Sequence, residues 1–116
     1  MPPRDWPLRI QDILESISAV AEYTAGLTYG DFCARRMVVD AVLRNVEIIG
    51  EAAASVPDDL KARHPQVAWR DIRNTRNVLA HVYFGVDLKR VWEVVQRDLP
   101  RLEQQLAQML ADEGET

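Results

Sequence analysis

The sequence predicts an all-α protein, an antiparallel bundle of about four to six helices in a single domain spanning residues 1–116. Three observations carry this. Apolar residues recur at i, i+3 and i+4 through nearly the whole chain, and no stretch alternates convincingly as a strand would. Proline and glycine clusters punctuate the periodic stretches at short intervals. The length of 116 residues, at 47% hydrophobic, suits one ordinary domain with a real core.

The first helix is marked by Ile10, Ile13, Leu14, Ile17, Val20 and Ala21, with Asp5 placed to cap it and Pro7 in its first turn. "TAGLTYGD" breaks it. A short helix around Phe32 leads into a long one from about Met37 to Ala54, striped by Val39, Val42, Leu43, Val46, Ile49 and Ala53. "SVPDD" ends that helix, and Pro57 and Asp58 open a short one that stops before Pro65. A further helix runs from about Trp69 to Phe84, with Gly85 as its C-terminal cap. Asp87 caps the last, striped by Leu88, Val91, Val95, Leu99, Leu102, Leu106 and Met109. Pro100 falls inside this stripe, which keeps its phase, so a kink is expected rather than an end. The tail, residues 111–116, is expected to fray.

Composition excludes several classes. The N-terminus "MPPRDWPLRI" has no apolar core of a secretion signal, and no run approaches the roughly 20 apolar residues of a membrane span. Cys33 is the single cysteine, so no intrachain disulfide forms; a reducing cytoplasm fits, with Cys33 as a small buried core residue. Two histidines and one cysteine make a dedicated zinc site improbable, and no metal or other cofactor is expected. Glu47 and Glu51, four residues apart, could bind a metal pair only with a partner's carboxylates; a polar face, or pairing of Glu47 with an arginine across the bundle, accounts for them. His64, before Pro65, reads as a surface loop residue. No glycine-rich phosphate loop occurs, so the chain is not itself read as a nucleotidyltransferase or NTPase.

A net charge of −4 argues against general coating of nucleic acid, but the charge is unevenly spread. Residues 1–59 hold five Lys/Arg against ten Asp/Glu, and residues 81–116 hold four against seven. Residues 60–80 hold Lys61, Arg63, Arg70, Arg73 and Arg76 against Asp71 alone. Positive charge is thus focused on the segment leading into "RNTRNVLAHVYFGVD", residues 73–87.

On a helix at roughly 100° per residue with Arg76 as zero, Tyr83 falls at about −20°, Arg73 at about 60°, Asn77 at about 100° and His81 at about 140°. Ile72, Val78, Leu79 and Val82 occupy the opposite side. One face is therefore apolar, and a separate face carries Arg73, Arg76, Asn77, His81 and Tyr83. Arg76 and His81 lie about 7.5 Å apart along the axis, so one phosphate across that face could touch both. An arginine fork supplies paired donors to phosphate, and a histidine moves protons near neutral pH. Together they could cleave RNA without metal: the ribose 2′-OH attacks phosphorus, His81 moves a proton and Arg76 stabilises the developing charge. One histidine does not readily serve as base and acid in one step, which favours a two-fold dimer with facing motifs. The spacing also admits a partly buried structural histidine and a half-buried tyrosine with a wet hydroxyl. A non-catalytic helical module that binds a partner or nucleotide, and a phosphotransfer bundle using His81 as acceptor, remain open on the residues alone.

The motif sharpens the choice. "RNVLAHVYFGVDLKRVW", residues 76–92, resembles the signature R-x4-H-x-Y followed by "FGVD" of the HepT-like branch of the HEPN superfamily. The resemblance extends to "DILESI" at 12–17, "VDAVLRNVEIIGEAA" at 39–53, "VAWRDI" at 67–72 and "DLP" at 98–100, in order along nearly the whole chain. It implies an all-α bundle that dimerises with the active site between protomers. It also implies an RNase toxin of a type VII-like toxin–antitoxin module, acting on mRNA or tRNA. The implied partner is a minimal nucleotidyltransferase antitoxin (MNT) that uses ATP to attach AMP to the motif tyrosine. On these positions Arg76 and His81 would be catalytic, Asn77 and Arg73 supporting or RNA-contacting, and Tyr83 the AMPylated residue. The sequence departs from the family pattern at Asn74 and Thr75, where small apolar residues are usual, and at Val82, where Asp or Gly is common. None of these replaces the Arg, His or Tyr.

Overall fold

The computed structural model describes residues 5–74 and 87–115. In chain order these form α1 (Trp6–Thr24), α2 (Tyr29–Ala34), α3 (Arg36–Ala54), α4 (Asp58–Arg63), α5 (Trp69–Arg73), α6 (Leu88–Glu93), a π-helical turn (Val94–Asp98) and α7 (Leu99–Asp112). Among the described residues there is no strand, and no helix is long and apolar enough to cross a membrane. The all-helical architecture is the one the periodicity predicts.

Helices α1 and α3, each of 19 residues, make the most extensive contact, and α7 lies against α1. The stripes explain this. Ile10, Ile13, Ile17 and Val20 of α1 are all buried, as are Val39, Val42, Val46 and Ile49 of α3. Leu106 and Met109 of α7 are fully excluded from solvent and complete the same core. Burying each such side chain is worth roughly 1.5–3 kcal/mol. Ala21, at the edge of the predicted α1 stripe, is exposed instead.

Caps explain the boundaries. Asp5 occupies the N-cap position of α1, as expected, but its side chain makes no capping bond; Pro7 lies in the first turn. Gly26 follows the end of α1 at φ +75°, a left-handed conformation that costs a residue without Cβ little. Thr28 and Asp31 form a reciprocal capping box at α2, with bonds of 3.1 Å in each direction. Those bonds, first from the Thr28 backbone N–H, hold the Asp31 carboxyl below its ordinary value. Asp87 caps α6 through its side chain, which accepts from the Arg90 N–H at 3.1 Å.

Pro100 does not end the last helix. It has no N–H for the Gln96 carbonyl, and in an α-helix its ring would collide with that carbonyl. The chain widens into the π turn at 94–98, where the Leu99 N–H bonds to the Val94 carbonyl, and α7 resumes with Pro100 in its first turn. The stripe survives: Val91, Val95, Leu99, Leu102, Leu106 and Met109 are all buried. Helix α7 continues through Asp112, into the segment expected to fray, and the next residue, Glu113, is tied back to α4.

Two residues lie in environments other than those expected. Cys33 is exposed, because α2 turns Phe32 inward against Trp92 of α6, at 5.1 Å between ring centroids, and its neighbour therefore points out. The thiol bonds to the Tyr29 hydroxyl and pushes its pKa up. His64 is not on the surface but 5% exposed, covered by the end of α7.

Candidate functional site

The site predicted from sequence falls mostly outside the described residues: Arg76, Asn77, His81 and Tyr83 lie in the segment 75–86. Arg73 is the last residue of α5, and only its backbone is described. The structure does define both flanks of this segment and what surrounds them.

The N-terminal flank is α5. Its first residue, Trp69, donates from its indole nitrogen to the His64 carbonyl at 3.1 Å, and Lys61 of α4 sits over its ring at 5.8 Å. Ile72, one face round, is buried and joins the core, and α5 packs on α3. These contacts hold α5 in place as far as Asn74. Asn74 closes α5 with its N–H on the Arg70 carbonyl at 2.9 Å. The C-terminal flank is Asp87, held by its capping bond to Arg90. Arg76 follows Asn74 by two residues, a span of at most about 7 Å.

Beside the N-terminal flank runs a groove of about 540 Å³. One wall is α5 and the loop before it, including Asp71 and Asn74; the other is α6, the π turn and the start of α7. Ile49, Ile72, Leu99 and Leu102 are among its apolar lining, and Arg90, Arg97 and Arg101 line it from the facing wall. Sequence reasoning concentrated on the arginines of 60–80 and passed over these three, which sit in an acidic stretch. Their i, i+7, i+11 spacing was the signal that could have found them.

A second cluster of titratable groups lies at the far side of α4. His64 Nε2 is 2.7 Å from Glu113 Oε2, and Arg63 reaches Glu113 Oε1 at 3.0 Å. These contacts, Arg63 first and then His64, hold the Glu113 carboxyl below its ordinary range. Glu47 pairs with Arg44 on its own helix at 3.4 Å rather than across the bundle. Among the described residues no three His, Cys, Asp or Glu side chains converge as a metal-binding set.

The described residues define an all-helical bundle with a groove, lined by three arginines and two aspartates, that reaches the end of α5 at Asn74. Comparison with known proteins gives the family. The profile described as "Ribonuclease HepT-like" matches residues 13–109, so the chain belongs to the HepT-like ribonuclease family. It is 40% identical over 93 residues to "Probable ribonuclease HepT" of Thermococcus cleftensis, covering 80% of this chain and 84% of that one. It is 37% identical over 106 residues to a protein of Methanocaldococcus jannaschii provisionally named an RNase, covering 91% and 97%. A further M. jannaschii protein, named a gamma-glutamylcyclotransferase and, provisionally, an RNase, is 36% identical over 109 residues; the match covers 94% of this chain but 49% of that protein. No solved structure matches.

Proposed function

We propose that the protein is a metal-independent endoribonuclease toxin whose catalytic groups are Arg76 and His81, working as a two-fold dimer. The family match across residues 13–109, which contains the Arg76-x4-His81-x-Tyr83 pattern, is the observation that carries this reading. The 2′-OH of one ribose attacks the adjacent phosphorus while His81 takes its proton. The P–O5′ bond breaks, and the leaving oxygen receives a proton from the protonated His81 of the second copy. The products are a 2′,3′-cyclic phosphate and a 5′-hydroxyl, with no water or metal consumed. Arg76 holds the non-bridging oxygens and offsets the charge that develops on them. Asn77, one turn before His81, orients the ring, and Arg73 contacts substrate phosphate.

The same reading includes control by a minimal nucleotidyltransferase antitoxin. The Tyr83 hydroxyl, losing its proton, attacks the α-phosphorus of ATP, the α–β phosphoanhydride bond breaks and pyrophosphate leaves. The AMP adds bulk and negative charge beside the arginines that substrate phosphate needs. The test is growth on induction together with cleavage of total RNA in EDTA. Wild type should arrest growth and cut RNA with chelator present, and His81→Ala should do neither. A fully active His81→Ala protein, or activity abolished by EDTA and restored by a divalent cation, overturns the assignment.

A further inference from the structure

We propose that the groove between α5 and the α6–α7 wall is the track along which single-stranded RNA reaches the motif, its phosphates held by Arg90, Arg97 and Arg101. This deepens the ribonuclease reading above and rests on it.

The arginines carry the argument. They line one groove in a chain of net charge −4. Arg90 and Arg97 share a single carboxylate, Glu93, at 3.3 and 3.8 Å, so two guanidinium forks are left with unused donors. Both pairs are exposed at the surface, where such contacts are weak and a phosphate can compete for them. Arg101 makes no ion pair among the described residues. It stands one turn beyond Arg97, about 6 Å along the axis. The wide turn at 94–98 lets Arg97 and Arg101 share a wall with Arg90 although Pro100 intervenes.

The remaining lining suits a single strand. Ile72, Leu99 and Leu102 form the groove's apolar floor and are each only 5–7% exposed, so its polar side chains supply the contacts. Gln105 and Asn74 supply amides for base edges or the ribose 2′-OH. Asp71 and Asp98 also line the groove and can accept from exocyclic amines of bases, while repelling a phosphate placed away from the arginines. A volume of about 540 Å³ is that of a ligand pocket, too small for a duplex. Asn74, the last described residue before the motif segment, is among the groove's lining.

The experiment uses the full chain carrying His81→Ala, so that RNA is bound and not cut, with and without Arg90→Gln, Arg97→Gln and Arg101→Gln together. Fluorescence anisotropy with a single-stranded RNA of about 12 nucleotides is titrated across salt. The triple variant should bind at least about tenfold more weakly, and its log K against log salt slope should be shallower by about 2, near 0.7 for each lost phosphate contact. With His81 restored, the triple variant should show a raised KM with a smaller change in kcat. Should the triple variant fail to fold by circular dichroism, Arg101→Gln alone decides, with a slope change of about 0.7. Unchanged affinity and slope overturn the proposal. So does loss of a dimer by light scattering, which would make the groove an interface between copies, or equal binding of a duplex. The two readings fail separately. His81-dependent cleavage with an unaffected triple variant removes only the groove, whereas cleavage that survives His81→Ala removes the catalytic assignment.

Discussion

His64 Nε2 lies 2.7 Å from Glu113 Oε2, joining the loop after α4 to the residue that follows α7. Arg63 makes a second contact with the same carboxylate at 3.0 Å, so one side chain near the C-terminus is held by two consecutive residues some fifty positions earlier. Trp69, the first residue of α5, donates its indole N–H to the His64 carbonyl, so the same residue that holds Glu113 also anchors the start of α5.

This arrangement makes stability depend on acid in a defined direction. The Glu113 carboxyl is held below its ordinary value by Arg63 and then His64. A folded-state pKa below the unfolded one adds stability that is fully present above the ordinary glutamate value of about 4.3, and that is lost as pH falls through the folded value. Melting temperature should therefore fall on acidification below about pH 4.3 more steeply in wild type than in Glu113→Gln. Parallel acid curves for the two proteins would show that the contact contributes nothing.

Phe32 is fully buried and packs on Trp92 at 5.1 Å, pinning α2 to α6. Phe32→Ala should cost about 3–5 kcal/mol of stability, as a large core truncation does. Chemical denaturation should show a lower midpoint with little change in slope. A loss under about 1 kcal/mol would mean that α2 is not integral to the folded unit.

Arg76→Ala and His81→Ala lie on the polar side of the predicted helical wheel, away from Val78, Leu79 and Val82. Each should lower RNA cleavage by roughly 10²–10³ or more while leaving the thermal melt within a few degrees of wild type. Loss of activity accompanied by loss of the fold would instead assign these side chains a structural role.

One protomer carries one His81, and the proposed reaction needs both a base and an acid. The active species should be a dimer burying on the order of 1,200 Å² or more. Light scattering at assay concentration measures this directly, and a fully active monomer would refute it.

Tyr83 falls on nearly the same helical line as Arg76, two turns on, by the spacing of the sequence. Coexpression with the cognate nucleotidyltransferase, with ATP and Mg²⁺ present, should add AMP to Tyr83 and silence cleavage. Tyr83→Phe should escape this control, because it lacks the hydroxyl that accepts AMP. Intact mass and peptide mapping decide: an unmodified protein, or an adduct on Tyr23 or Tyr29, both well exposed, removes the assignment.

Local periodicity determined most of the architecture. The stripes of α1, α3 and α7 are readable because a helix repeats every 3.6 residues, and burial then follows from the stripe: Ile10, Val42 and Leu106 are inside as their spacing demands. The caps at Thr28 and Asp87 are equally local, each closing within three residues. The family resemblance, too, lay in the sequence, because Arg76, His81 and Tyr83 share one short segment. What only the tertiary structure decided depends on partners distant in the chain. His64 looks like a loop residue until α7 brings Glu113 over it. Cys33 looks like core until Phe32 turns to Trp92 and leaves the thiol outside. The groove joins Asp71 and Asn74 to Arg97 and Arg101, more than twenty residues away, and its shape depends on a wide turn that one proline makes necessary. Such features arise from which helix faces pack together, a choice made by the whole core and written in no single window of sequence.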